Sequence, residues 1–265
     1  MLALLLALAA VPTLSRPGEF EGKKLLIANY YTEVPTLPLE RVPPILRKMG
    51  FTVDIAQNPR SLPALEPYEQ LWIISGGGGS SFGEGDTRAL RKFLERGKGV
   101  YVLADNTPYT TEMNVVSQAL HRFSVAGDYM GMKMVTVMSR QQIQAMIAEA
   151  TQREDFEKLA EYRRAGYFNG TFYAEDHELL TGIERIYEGG TICHPDTTQG
   201  MKVVLSSSNN LPLVFLPTNT SQRMIYDCGW TRLYHDWDTH AESSTRWYQN
   251  VAAYLMGKRR ADLPQ

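Results

Sequence analysis

VYVLADNTPY, residues Val100 to Tyr109, is an apolar strand run that stops abruptly at Asp105-Asn106 and passes through a proline turn towards a new helix. A continuous apolar run of this length suits a strand covered on both faces, as in a parallel sheet. In open α/β sheets, ligands collect where such strands end, so the run points to both a fold and a place for a site.

The flanking chain repeats the pattern. Leu25 to Ala28 and Leu71 to Ile74 are further continuous apolar runs, and Phe51 to Ala56 alternates. Leu39, Val42, Leu46 and Met49 recur at helical spacing, with Pro43-Pro44 in the first turn or at a kink and Gly50 as the stop. Asp86 reads as the N-cap of a helix burying Ala89, Leu90, Phe93 and Leu94, closed by Gly97 and Gly99. A third helix opens at Thr110 or Thr111 and carries Met113, Val116, Leu120 and Phe123 on one stripe. Strands alternating with helices imply a parallel sheet with right-handed crossovers.

The second half is less regular. Met132 to Met138 reads as a strand, and residues 139–165 as a polar helical insertion with a narrow stripe of Ile143, Met146, Ile147 and Ala150. Lys202 to Leu205 and Leu213 to Leu216 form a hairpin around Asn209-Asn210, and Arg223 to Cys228 is a last strand. A final helix, capped by Ser243 or Ser244, buries Trp247, Val251, Ala252 and Leu255. No repeat or low-complexity linker interrupts residues 17–265, which read as one α/β domain.

The chain has 265 residues and a formal net charge of -2. That length buries a core without metal or disulfide staples, and that charge argues against a nucleic-acid partner. Residues 2–11 (LALLLALAAV) are too short to span a bilayer; they look like the apolar part of a secretory leader, with Ala7-Leu8-Ala9 as a cleavage site but no basic start. Residues 1–16 are therefore read as a leader and the protein as secreted or periplasmic, the alternative being an N-terminal helix on a cytoplasmic domain. No transmembrane span is expected elsewhere.

Three stretches could carry chemistry. Ser75 to Gly79, with Gly76 and Gly77, could bring backbone amides to an anion, although it has neither Walker nor dinucleotide spacing. Asp105, Asn106 and Tyr109 sit where a crevice should be; Asp105 could be a general base, a ligand anchor or a metal ligand, or could simply close its turn. Asp227 to Asp238 (DCGWTRLYHDWD) is dense in polar and aromatic types. Here Thr231 could line the crevice, Arg232 could clamp a ligand anion or pair with an internal acid, and His235 could act with a nearby acid as an oriented base. No spaced set of metal-binding residues stands out, so neither a metal site nor a cofactor is expected. Cys193 and Cys228 could pair in an exported chain or remain as buried thiols. Cys228 precedes a glycine, but nothing places a base beside it for nucleophilic work. His177 and His194 read as surface or turn residues.

Taken in order, GEGDTRALRKFLERGKGVYVLADNTPY, HELLTGIERIYEGGTI and DCGWTRLYHDWD resemble uncharacterised members of the class I glutamine amidotransferase-like superfamily. The resemblance implies a flavodoxin-like three-layer sandwich with a mostly parallel central sheet. It also implies a catalytic cysteine in the turn after the central strand, where this chain has Asp105-Asn106-Thr107. The expectation is thus a scaffold without amidotransferase activity. One reading is a non-catalytic ligand-binding or interaction domain, its small-molecule or protein ligand unidentified, with Asp105, Asn106, Tyr109, Gly76, Gly77, Asp227, Thr231 and Arg232 around the crevice. The alternative is a hydrolase in which Asp105 or Asp227, with His235, activates water.

Overall fold

The structure is a computed structural model and describes residues 13–33, 39–79, 81–164, 174, 176–218, 221–233 and 241–262. The first half alternates as the apolar runs require: β1 (Lys24–Asn29), α1 (Val42–Lys48), β2 (Thr52–Gln57), β3 (Gln70–Ile74), α2 (Glu84–Glu95), β4 (Gly99–Leu103) and α3 (Thr111–His121). The second half adds β5 (Val125–Met130), β6 (Met134–Thr136), α4 (Arg140–Gln152), α5 (Phe156–Arg164), β7 (Arg185–Tyr187), β8 (Thr191–Pro195), β9 (Met201–Ser206), β10 (Pro212–Pro217), β11 (Arg223–Asp227) and α6 (Ala241–Leu255).

Seven strands form the central sheet in the order β2-β1-β3-β4-β11-β10-β9. The first five run parallel, and β10 and β9 close the edge as an antiparallel hairpin. Every residue of β3 and β4 is buried, which is why both read as unbroken apolar runs. α1 packs against α6 and α2 against α3, giving the two helical layers of a flavodoxin-like sandwich. Trp72, Phe93, Tyr101, Phe215, Tyr226 and Trp247 are among the largest fully buried side chains of the core.

The parallel strands end in register. Asn29 lies opposite Ile74, Ile74 opposite Leu103, and Leu103 opposite Asp227. The four segments that follow therefore emerge side by side at one edge of the sheet.

A second substructure crosses that edge. β5 pairs antiparallel with β8 and β6 with β7. Gly131 N–H donates to Gly190 O (2.8 Å), Met132 N–H to Gly189 O (2.7 Å) and Glu188 N–H to Lys133 O (3.1 Å), joining the two ladders into one long ribbon. Only the short β6 corresponds to an expected strand, and it covers Met134–Thr136 rather than all of Met132 to Met138. Met132 breaks the run by adopting a left-handed φ of 62° where the ribbon bends.

Two helix starts also differ from the sequence reading. Gly83, not Asp86, caps α2; Asp86 is the third helical residue, and its carboxylate accepts from the backbone N–H of Gly83 (2.9 Å) and of Leu62 (2.6 Å). α6 begins at Ala241, so Ser243 and Ser244 lie inside it, Ser244 fully buried. The polar segment forms α4 and α5, with a capping box at Ser139. Leu14 is buried in the core, so the globular part takes in residues from at least 13 onward. Among the described residues no helix is long and apolar enough to cross a membrane.

Candidate functional site

Asp105 follows β4 at the centre of the aligned edge. Its backbone N–H donates to Tyr109 O (3.0 Å) and Tyr109 N–H to Asn106 O (2.7 Å), a tight turn containing the cis Thr107–Pro108 peptide. The ribbon closes over this turn: Thr107 N–H donates to Gly127 O (2.8 Å), and Gly127 N–H to the Thr107 hydroxyl (3.2 Å). Thr191, the first residue of β8, sets its hydroxyl 3.1 Å from Asp105 Oδ1 and 3.0 Å from Asn106 Oδ1. The Thr191 hydroxyl thus donates towards both oxygens and shares its one proton between Asp105 and Asn106.

Asp105 is only 3 % exposed, and among the described residues no cation forms an ion pair with it. Burial pushes its pKa up to about 7; the Asn106 amide, the Thr191 hydroxyl and the more distant Arg232 charge pull it down, while Asp128 on β5 pushes it further up.

Aromatic side chains flank the turn. The Tyr31 ring lies 5.4 Å from Tyr109 and 4.6 Å from Trp230, both edge-on. Tyr109 is half-buried, and a Cβ on Gly77 would lie 2.8 Å from its ring, so Gly77 leaves room for that ring. The Gly76 N–H donates to the Glu112 carboxylate at 2.8 Å, and the Met113 N–H to the Ser75 hydroxyl at 3.0 Å. The first amide of the glycine loop therefore already serves an internal anion.

The Asp227 to Leu233 segment converges on the same edge but turns inward. Trp230 N–H donates to Ala104 O (3.2 Å). Arg232 is 0 % exposed; it donates to Asp227 (2.8 Å) and to Glu188 O (3.1 Å), and lies 5.5 Å from the Trp247 ring centroid. Asp227 also accepts from Gly229 N–H (3.0 Å) and from the Tyr101 hydroxyl, which in turn accepts from the Trp247 indole (3.0 Å). Of the two roles open to Arg232, this geometry is the internal ion pair, and it leaves Asp227 no free face for a ligand or a water. Thr231 accepts from Gly190 N–H (2.7 Å), tying the ribbon to the sheet. Tyr234, His235, Asp236, Trp237 and Asp238 lie outside the described residues.

Cys193 and Cys228 are both buried free thiols. His177 is buried rather than superficial; its Nδ1 accepts from Leu179 N–H (3.2 Å), capping a short 3-10 turn. His194 bonds the Tyr129 hydroxyl (3.0 Å) on the ribbon. Thr191 and Asp128, the two side chains that most affect Asp105, were not singled out in the sequence. The only local hint was EGGTI, a glycine pair before a β-branched residue, and it carries no chemistry by itself.

No protein-family model matches the chain, and no curated protein matches it significantly. Solved structures do share its fold. The mmIFT52 N-terminal domain aligns with TM-score 0.60 at 10 % identity, over 91 % of this chain and all of that one. A ThuA-like protein from Bacteroides uniformis aligns with TM-score 0.54 at 13 % identity, over 93 % of this chain and 96 % of that one. A glutamine amidotransferase from Thermotoga maritima aligns at TM-score 0.44 and 12 % identity, over 89 % and 85 %, too loosely to carry an argument. At these identities the likeness concerns the fold alone: a flavodoxin-like α/β sandwich of the kind that the ThuA-like protein has.

Proposed function

We propose that this protein is an exported ligand-binding domain on an amidotransferase-like scaffold, without amidotransferase chemistry, and that its crevice centres on Asp105. The observation that carries the reading is a buried carboxyl at the end of a central strand with no ion-pair partner among the described residues. Such a group contributes no ion pair and costs stability once ionised, which is characteristic of functional sites. The carboxyl of Asp105 and the Oδ1 of Asn106 are acceptors that share the Thr191 hydroxyl, with the Asp128 charge beside them. That lining suits a ligand presenting a hydrogen-bond donor or a positive charge. Met130, opposite Thr191 in the ribbon and 63 % exposed, offers an apolar rim. The absence of amidotransferase chemistry rests on Asp105 standing where the resemblance expects a cysteine, and on both thiols being fully buried.

A thermal-shift screen of the full chain with cationic, neutral and anionic small molecules tests the reading, run in parallel on Asp105→Asn. Stabilisation by donor-bearing or cationic compounds, lost in the variant, is the expected result. Hits that stabilise both proteins equally, or no hits at all, would remove the crevice from consideration.

One observation favours the hydrolase alternative. A carboxyl titrating at about pH 7 is poised to act as a general base near neutrality. With Asp227 committed to Arg232, that reading now rests on Asp105. It requires turnover of ester, amide or glycoside substrates that rises through pH 7 and vanishes in Asp105→Asn.

A further inference from the structure

The chain has two cysteines, and the fold brings them together. Cys193 lies in the middle of β8 and Cys228 directly follows β11, so one belongs to the ribbon and the other to the main sheet. The Cys193 N–H donates to Cys228 O at 3.3 Å, and Cys193 Sγ lies 4.0 Å from the same oxygen. A direct main-chain hydrogen bond between two residues is compatible with the roughly 4.4–6.8 Å Cα separation that a cystine bridges. Both side chains are completely buried.

We infer that Cys193 and Cys228 are the two halves of a disulfide that closes when the chain folds in an oxidising compartment. The oxidant is a small or protein disulfide, RSSR. One cysteine thiolate attacks it, forming a mixed disulfide and releasing one RS⁻. The second thiolate then attacks the cysteine sulfur of that mixed disulfide and expels the other RS⁻. Two cysteine thiols are oxidised to one S–S bond, RSSR is reduced to two RSH, and the two cysteine protons end on the released thiolates.

The bond has to form during folding. In the folded chain neither sulfur meets solvent, and burial, together with the neighbouring thiol and Asp105, pushes the Cys193 pKa up, away from the reactive thiolate. The same burial shields the closed bond from reductants. Thr191 stands two residues before Cys193 on β8 and holds Asp105 and Asn106. A link at Cys193 therefore staples the ribbon to the sheet beneath the Asp105 turn.

The test uses the full wild-type chain, unfolded and reduced, then refolded in a buffer of reduced and oxidised glutathione. It is next denatured under non-reducing conditions, alkylated and weighed intact. The expected product is a monomer about 2 Da lighter than the reduced chain, carrying no alkyl groups, with one peptide cross-link joining Cys193 to Cys228. Reduction should lower its melting temperature by roughly 5–15 °C, and the Cys193→Ala/Cys228→Ala chain should melt with the reduced form. Recovery of two alkylated thiols, or of two glutathione adducts, in a refolded chain with native circular dichroism overturns the inference. Because the mass measurement uses the wild-type chain, it stands even if the double variant folds poorly.

Discussion

Asp105 is the residue whose chemistry departs furthest from its exposed counterpart. An ordinary aspartate titrates near 3.8, and this one is pushed up to about 7. Between about pH 4 and pH 7 the folded chain therefore keeps a proton that the unfolded chain has lost. Stability from this group is greatest below the lower value, falls as pH rises through that window, and stays at its lowest above it. The accumulated penalty above pH 7 is on the order of 4 kcal/mol. Asp105→Asn keeps the shape and removes the charge. Its stability advantage over wild type, from urea midpoints, should widen by about 3 kcal/mol between pH 4.5 and pH 8. A constant difference across that range would mean that Asp105 ionises freely in the folded state.

At the scale of single elements, α2 depends on one side chain for two backbone donors. Asp86 satisfies the Gly83 N–H of its own helix start and the Leu62 N–H of the preceding connection. Asp86→Ala should cost about 1–2 kcal/mol in urea unfolding, because Leu62 N–H is then left without its partner in a partly buried place. The matching change at Ser139, whose capping contacts are exposed, should cost well under that. Equal costs at the two positions would mean that the Leu62 bond contributes nothing. The parallel strands were legible because strands buried on both faces are written as continuous apolar runs. The ribbon was not. Its strands contain Gly127 and Asp128 and are flanked by Gly131, Gly189 and Gly190, residues with little strand preference. What holds them is pairing between segments separated by the whole polar insertion.

Across the whole molecule, the Arg232–Asp227 pair is where the layers meet. Through it the end of β11, the ribbon carbonyl of Glu188, Tyr101 on β4 and Trp247 on α6 share one buried hydrogen-bonded cluster. Arg232→Met keeps much of the side-chain volume but leaves the Asp227 charge buried with no opposite charge. The expected loss is about 3–5 kcal/mol, with part of it recovered in Arg232→Met/Asp227→Asn. A double-mutant cycle measures this, and a single-variant cost below about 1 kcal/mol would show that water reaches Asp227 in the folded protein. The pair also decides how the crevice reading divides: Asp105 and Asn106 remain open to function, while Arg232 and Asp227 are spent on architecture.

The sequence by itself determined the α/β class, the parallel strands β1 to β4 and β11, the β9–β10 hairpin, and the position of Asp105 at a strand's carboxyl end. Each of these follows from local patterning that burial imposes on a strand or a helix. Tertiary structure alone decided the rest. Arg232 and Asp227 are close in the chain, yet whether an arginine faces a ligand or an acid depends on what packs over it. Asp105 becomes hard to ionise because segments distant in the chain bury it, an effect that the Thr191 hydrogen bond from the ribbon only partly offsets. Cys193 and Cys228 meet for the same reason, since contact between distant residues is a property of how elements pack and leaves no mark in either element's own sequence.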